Sequence, residues 1–416
     1  METTKPFTIT KQQVMLAYTL VKANDGASGV DRITLDEFSK DLKKNLYKIW
    51  NRLSSGSYFP PPVKQVAIPK KSGGERKLGI PTVADRIAQM VVKLELEPQL
   101  EPHFLGDSYG YRPNKSALQA VEITRKRCWR NNWVLEFDIK GLFDNIPHDL
   151  LMKALEKHTT NKWIKLYVKR WLEAQVMLRD GAKEDRNKGT PQGGVISPLL
   201  SNLFMHYAFD LWISREYPNN KWCRYADDGL IHCCSEKQAL EILAKLRNRM
   251  LVCGIELHPE KTKIVLCKDA NRRKKYENTQ FEFLGFTFRS RMYNKSGSKD
   301  MFCSFAPAVS KSSLQAMKGK IKRMYLENRT ELTIEDIANR WNNLIRGWIN
   351  YFCEFGRIEM YKLWRYINLK LVRWMMNKYK QYKGRKIAAA KAVQQIAKTN
   401  PSLFVHWKLG MVGSFA

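Results

Sequence analysis

The chain has no low-complexity tract, no C-x-x-C pair and no uncharged apolar run of the roughly eighteen residues that cross a bilayer. The first absence argues against disorder. The second argues against a zinc ribbon or a disulfide framework, although eight cysteines are present. The third excludes a membrane span, and the opening METTKPFTIT has no apolar signal region. A cytoplasmic, reduced protein is therefore expected, with its cysteines serving as small core residues. Acid is scarce as well. There are 40 Asp and Glu against 72 Lys and Arg, a net charge of +32 and a pI near 9.8. That much like charge opposes compactness unless something anionic neutralises it, so a polyanionic partner is expected. Over residues 360–416 the scarcity is total, with twelve Lys and Arg and no Asp or Glu.

The 416 residues suit about two or three domains. A first helical segment over about 11–57 contains the turn-like NDGASGVD (24–31) and ends at SYFPPPV, where three prolines forbid continuation. VKQVAIP and RKLGIP read as strands joined across KKSGGE, a glycine-bearing loop that exposes Lys70, Lys71, Arg76 and Lys77. Helices are expected at about 85–100 and 115–131, a strand WVLEFDI at 133–139, and helices near 148–157 and 161–175. A hairpin around RDGAKE and a long helix over 197–216 come next. They are followed by a hairpin holding RYADDGLIHCC (224–234), a helix at 236–252, and strands near 255–266 and 280–289. The class is α+β. Beyond about 305 the pattern turns helical, which divides the chain into an N-terminal extension (1–60), a mixed α+β part (61–305) and a helical part (306–416).

Where acid is rare, its placement is informative. Asp227 and Asp228 stand at the tip of the YADD hairpin. Successive strand side chains alternate faces, so both can serve one site only if a turn redirects one of them. The DDG tripeptide is expected to supply that turn, with Gly229 taking the backbone conformation other residues avoid. Asp227 is then the firm ligand and Asp228 the peripheral one. A hard divalent cation needs further oxygen, and Asp138, ending the apolar strand WVLEF, is the best source, because an unpaired carboxylate buried there would be costly. Alone, an Asp-Asp pair in a turn is an ordinary solvated loop tip.

YADD (225–228) resembles the active-site box of reverse transcriptases, and the family's other boxes follow in order. FDIKGLFDNIPHD (137–149), GTPQGGVISPLLSNLF (189–204), LHPEKTKIV (257–265) and FEFLGFTF (281–288) resemble the palm boxes. VAIPKKSGGERKLGIPTVADRIAQ (66–89) and SYGYRPNKSALQAV (108–121) resemble the fingers boxes. NDGASGVD and RGWINYF (346–352) are similar to segments of bacterial group II intron-encoded reverse transcriptase/maturases, and the likeness covers nearly the whole chain.

The resemblance implies a right-hand polymerase, with fingers and palm built on antiparallel sheet and an all-helical thumb/maturase domain behind. It implies RNA-directed DNA synthesis on two Mg²⁺ ions, Mn²⁺ being an alternative. Asp138 and Asp227 would bridge the metals, Asp228 would assist, and Ile139 joins the metal set. Lys70 and Arg76 match triphosphate-binding positions, and Phe143 the aromatic that excludes a 2′-hydroxyl. Gln192 matches a nucleotide contact beside Gly193 and Gly194, whose bare backbone would approach substrate. Lys261 matches a proton donor to pyrophosphate. Arg112, Lys362, Arg365, Lys370, Arg373 and Lys378 would bind nucleic acid. Read without the resemblance, these are exposed charges, a core phenylalanine and a turn. The implied partners are a group II intron RNA template, a DNA primer or target, and deoxynucleoside triphosphates, with no membrane. Gly141 and Leu142 depart from the pattern, standing where many relatives have a charged residue and a second aromatic. The chain stops at Ala416 without an H-N-H/cysteine module, so second-strand cleavage is not expected. A maturase with a vestigial polymerase, or a reverse transcriptase recruited to phage defence or another retroelement, are the alternatives. The intact aspartate set opposes the first, and the intron-type segments oppose the second.

Overall fold

In the computed structural model, which describes residues 5–69, 74–294, 301–411 and 415, helices begin where side chains can cap them. Thr10 and Gln13 form a capping box for α1 (Lys11–Asn24), and Thr34 and Glu37 do the same for α2 (Leu35–Lys40), which runs into α3 (Leu42–Ser54). The helical segment expected over 11–57 is thus three helices. Its first break falls in the turn-like NDGASGVD, where Asp25 and Gly26 take φ values of 52° and 124°. β1 (Val63–Pro69) pairs antiparallel with β2 (Glu75–Ile80), from Lys64 opposite Ile80 to Pro69 opposite Glu75. Lys70 and Lys71 fall in the loop between them, outside the described residues. Then come α4 (Val83–Leu100), α5 (Ala117–Arg130), β3 (Trp133–Asp138), α6 (Leu142–Asn145), α7 (His148–His158) and α8 (Lys162–Leu172). The hairpin expected at RDGAKE is β4 (Val176–Met177) and β5 (Lys183–Glu184), which completes a sheet of order β2-β1-β4-β5.

The helix expected at 197–216 is α9 (Ser197–Met205) and α10 (Leu211–Glu216), joined through a π-helical turn at His206–Asp210. β6 (Trp222–Tyr225) and β7 (Asp228–Cys233) form the YADD hairpin, α11 (Glu236–Val252) follows, and β6, β7 and β3 lie side by side in that order. Cys233 is buried in β7 as expected, but Cys234, just beyond the strand end, is exposed rather than packed.

The chain forms two compact units, residues 1–120 with 135–263, and residues 121–134 with 264–416. In the second, β8 (Lys263–Leu266) occupies only the end of the strand expected over 255–266. β9 (Gln280–Phe283), β10 (Phe286–Asn294) and β11 (Met301–Val309) form an antiparallel sheet in the order β11-β10-β9. The boundary expected at 305/306 falls inside β11, which pairs with β10 from Met301 opposite Asn294 to Val309 opposite Phe286. α12 (Lys311–Arg323), α13 (Ile334–Phe352), α14 (Tyr361–Lys378), α15 (Lys386–Thr399) and α16 (Val405–Lys408) pack around Trp341, Trp364, Trp374 and Trp407, all buried. Among the described residues no helix is long and apolar enough to cross a membrane.

Candidate active site

β3 carries Val134, Leu135 and Phe137 into the core and ends on Asp138, 8% exposed. The hairpin beside it pairs Tyr225 with Asp228 and Arg224 with Gly229, which leaves Ala226 and Asp227 as a two-residue loop. Ala226, at φ 59°, takes the left-handed conformation. This is the positive φ that a two-residue hairpin asks of its first central residue. Gly229 does not take it, contrary to the expectation from DDG. It is required for space, because a methyl there would sit 2.1 Å from Phe137 Cζ. The bare glycine lets β7 lie against β3 and brings Asp228 beside Asp138.

Three carboxylates then crowd one another. Burial first, and the charges of Asp227 and Asp138 next, push Asp228 up to about 8, where its proton is donated toward Asp138. Asp227 is also raised, by burial and by Asp138, with Arg76 and Lys261 working against the rise. Lys261 Nζ stands 2.8 Å from Asp138 Oδ2. Although burial works against its charge, the bond to Asp138 and the three aspartates raise the Lys261 pKa. Among the described residues no three His, Cys, Asp or Glu side chains are already gathered as ligands around one point, and Asp138 is turned to Lys261. The donor set nonetheless suits a hard divalent cation: it is all oxygen, and Asp227 and Asp228 resist ionising without added positive charge.

That crowding makes stability depend on pH. Between an unfolded value near 3.8 and about 8, folded Asp228 keeps a proton that the unfolded chain has lost, so the stabilisation is lost as pH rises through this window. The thermal midpoint of metal-free protein is expected to fall between about pH 6 and about pH 8.5. Mg²⁺ should raise it more at the higher pH, where no proton has to be displaced. Asp228→Asn should flatten both trends in a calorimetric series.

Around the carboxylates, Phe143 is half-buried, and the ring of Tyr111 meets it edge-on at 6.4 Å while also lying 6.4 Å from Tyr225. Tyr111 was not singled out in the sequence. Its hydroxyl pKa is raised by burial and by Asp227, and its φ of 57° leaves no mark in SYGYRP. Arg76 is exposed at the start of β2, and its charge is felt at Asp227. Gln192 Nε2 donates to Asp144 Oδ2 at 2.9 Å. Gly193 and Gly194 are used against the protein rather than left bare for substrate: a methyl on Gly193 would meet the Gly79 carbonyl at 2.5 Å, and one on Gly194 the Ser197 Oγ at 2.5 Å. Arg186, half-buried nearby, has its pKa lowered by burial, with the charge of Asp144 working against the fall. Ile139, 1% exposed, directly follows β3.

The nucleic-acid residues divide. Arg112 is not at the surface. Its side chain is 6% exposed, and the guanidinium forks onto Glu101 and donates to the carbonyls of Leu105 and Ser108. On α14, Lys362, Arg365 and Arg373 are exposed. Lys370 is 12% exposed and paired with Glu327, and Lys378 donates to the Leu332 carbonyl at 2.7 Å, so these two are tied to their own unit. The acid-free segment supplies other exposed cations in their place, among them Lys383, Arg385, Lys386, Lys391 and Lys398.

The family described as reverse transcriptase (RNA-dependent DNA polymerase) matches residues 68–288, and the one described as group II intron, maturase-specific domain, matches residues 314–392. Protein YkfC of Escherichia coli (strain K12) is 30% identical over 273 residues, which are 57% of this chain and 71% of that protein. The group II intron-encoded protein LtrA of Lactococcus lactis subsp. cremoris is 36% identical over 194 residues, covering 46% of this chain and 32% of LtrA. A nuclear intron maturase of Arabidopsis thaliana mitochondria is 20% identical over 192 residues, 45% of this chain and 23% of its own length.

Proposed function

This chain belongs to the reverse transcriptases and carries a group II intron maturase domain, and we propose that it copies a group II intron RNA into DNA on two Mg²⁺ ions and binds that RNA to assist its splicing. The observation that carries the reading is the meeting of Asp138 with Asp227 and Asp228, from two separate boxes that stand in the family's order. The three carboxylates would hold the ions. Bound there, the ions would lower the pKa of the primer 3′-hydroxyl and neutralise the triphosphate as pyrophosphate leaves. Arg76, and Lys70 outside the described residues, bind triphosphate oxygens. Phe143, braced by Tyr111, lies under the sugar and excludes a 2′-hydroxyl. Asp144 holds Gln192 for the incoming nucleotide. Lys261 is kept charged by Asp138 and has a proton to give the leaving pyrophosphate. The exposed cations of α14 and of residues 383–398 face the phosphates of structured RNA, where counterion release favours binding. Work on RNA template and cellular nucleotides accords with a cytoplasmic location.

The test pairs two assays on the purified chain. It is expected to extend a DNA primer on an RNA template with deoxynucleotides in a Mg²⁺-dependent manner. It is also expected to accelerate splicing of precursor RNA from its own flanking locus at limiting Mg²⁺. Failure to extend with either Mg²⁺ or Mn²⁺ overturns the polymerase half, and unaccelerated splicing overturns the maturase half.

A further inference from the structure

A buried charge sits directly behind the turn that carries Asp227. Arg224 and Asp210 both have fully buried side chains, and their contact is bidentate, with Nε to Oδ1 at 2.7 Å and Nη2 to Oδ2 at 2.6 Å. Nη2 also donates to Ser108 Oγ at 2.9 Å, and Nη1 to Asn202 Oδ1 at 3.1 Å and to the Ala226 carbonyl at 3.1 Å. A guanidinium has five N–H groups, and here all five are used.

The backbone joins in. Arg224 N donates to the Asp107 carbonyl at 3.0 Å, and Tyr109 N to the Arg224 carbonyl at 2.8 Å. Asn202 Nδ2 donates to the Gly110 carbonyl at 2.7 Å, and a methyl on Gly110 would meet Ala226 N at 2.5 Å. Three chain segments are thereby knit around the back of one turn.

Asp210 owes its reach to the π-helical turn at His206–Asp210. One extra residue in a helix rotates everything after it by about 100°, so a regular helix would aim this carboxylate elsewhere. The arrangement is costly on its own account, since a buried ion pair is rarely more stabilising than apolar residues of the same volume. Ala226, held at φ 59°, adds left-handed strain that only glycine escapes. Such strain persists only where the surroundings over-determine it. The bond to the Ala226 carbonyl does so, because that oxygen belongs to the peptide plane joining Ala226 to Asp227.

We propose that Arg224 is a positioning residue for the reaction. Clamped by Asp210, it fixes the Ala226–Asp227 peptide and so the direction of the Asp227 carboxylate toward the cation it shares with Asp138. The proposal rests on Asp227 being a metal ligand.

Arg224→Lys tests it, since an ammonium keeps the pair with Asp210 but has too few donors to hold Ser108, Asn202 and Ala226 as well. Asn202→Ala is the milder companion, leaving the ion pair intact. Mn²⁺ binding is followed by electron paramagnetic resonance, alongside kcat, KM for deoxynucleotide, and the thermal midpoint. Arg224→Lys is expected to weaken Mn²⁺ binding and lower kcat by about tenfold or more, with KM little changed, and Asn202→Ala to do the same by a smaller factor. Should Arg224→Lys fail to fold, Asn202→Ala decides. Folded variants that bind Mn²⁺ and turn over as wild type overturn the proposal. So does recovery of wild-type kcat with an osmolyte that restores the midpoint, which would mark the role as purely structural. Asp227→Asn, run in parallel, separates the premise from the proposal: unchanged Mn²⁺ binding there removes Asp227 from the ligands.

Discussion

Asp227→Ala is expected to cut primer extension by the purified chain by at least about a thousandfold, while its acceleration of intron splicing survives. The size follows from what is removed. A carboxylate that would hold the cation neutralising a transferring phosphoryl group is worth several kcal/mol, and each 1.4 kcal/mol or so is tenfold in rate. The fold should not suffer, because Asp227 is a source of the repulsion that pushes Asp228 up, and removing it relieves metal-free protein of a like charge. The thermal midpoint without Mg²⁺ should therefore stay level or rise. Splicing should survive because the exposed cations of α14 and of residues 383–398 lie in the other compact unit. Single-turnover extension and precursor splicing, measured on one preparation, check both halves. Wild-type extension by the variant would remove Asp227 from the metal set, and loss of both activities would mean that they are not separable in the way proposed.

What could be read in advance, and what could not, follows from the range of the forces involved. Asp138 was legible because a carboxylate ending an apolar strand is costly unless something compensates it, and that is visible in six residues. The YADD hairpin was legible from short apolar flanks around a turn. The origin of its geometry was not. Local rules give a positive φ to glycine, whereas here Ala226 takes it and Gly229 answers to the Phe137 ring of the neighbouring strand. Arg112 reads as a surface charge because its partner Glu101 and the carbonyls it binds are brought to it only by the fold. Lys370 reads as exposed for the same reason, as its partner Glu327 is 43 residues earlier in the chain. The helical periodicity of residues 197–216 is unbroken to the eye, so the π-helical turn that aims Asp210 leaves no trace in composition. β11 is not legible in advance, because MFCSFAPAV is a strand by virtue of its pairing with β10 more than by its own pattern.

Gly229→Ala is expected to destabilise the protein by about 3 kcal/mol and to depress primer extension with it. The added methyl would lie 2.1, 2.4 and 2.7 Å from Cζ, Cε1 and Cε2 of Phe137. Rotating the ring about its own axis gives no relief, since Cζ lies on that axis. Nor is there room to withdraw, because Phe137 is 1% exposed and its ring packs on the buried Phe209 at 4.8 Å. What remains is to push β7 away from β3, which separates Asp228 from Asp138 and carries the damage into the site. A second substitution discriminates between the two reasons a glycine could be needed. Phe137→Leu removes the three overlapping ring atoms, so adding it to Gly229→Ala should recover part of the lost midpoint and of the extension rate. Were Gly229 needed for a backbone conformation closed to other residues, shortening Phe137 would recover nothing. Denaturant midpoints and extension rates for the two single variants and the double variant form a cycle whose coupling should be clearly favourable. A coupling of zero would mean that the spacing of β3 and β7, and with it the meeting of the aspartates, does not depend on the space left at Gly229.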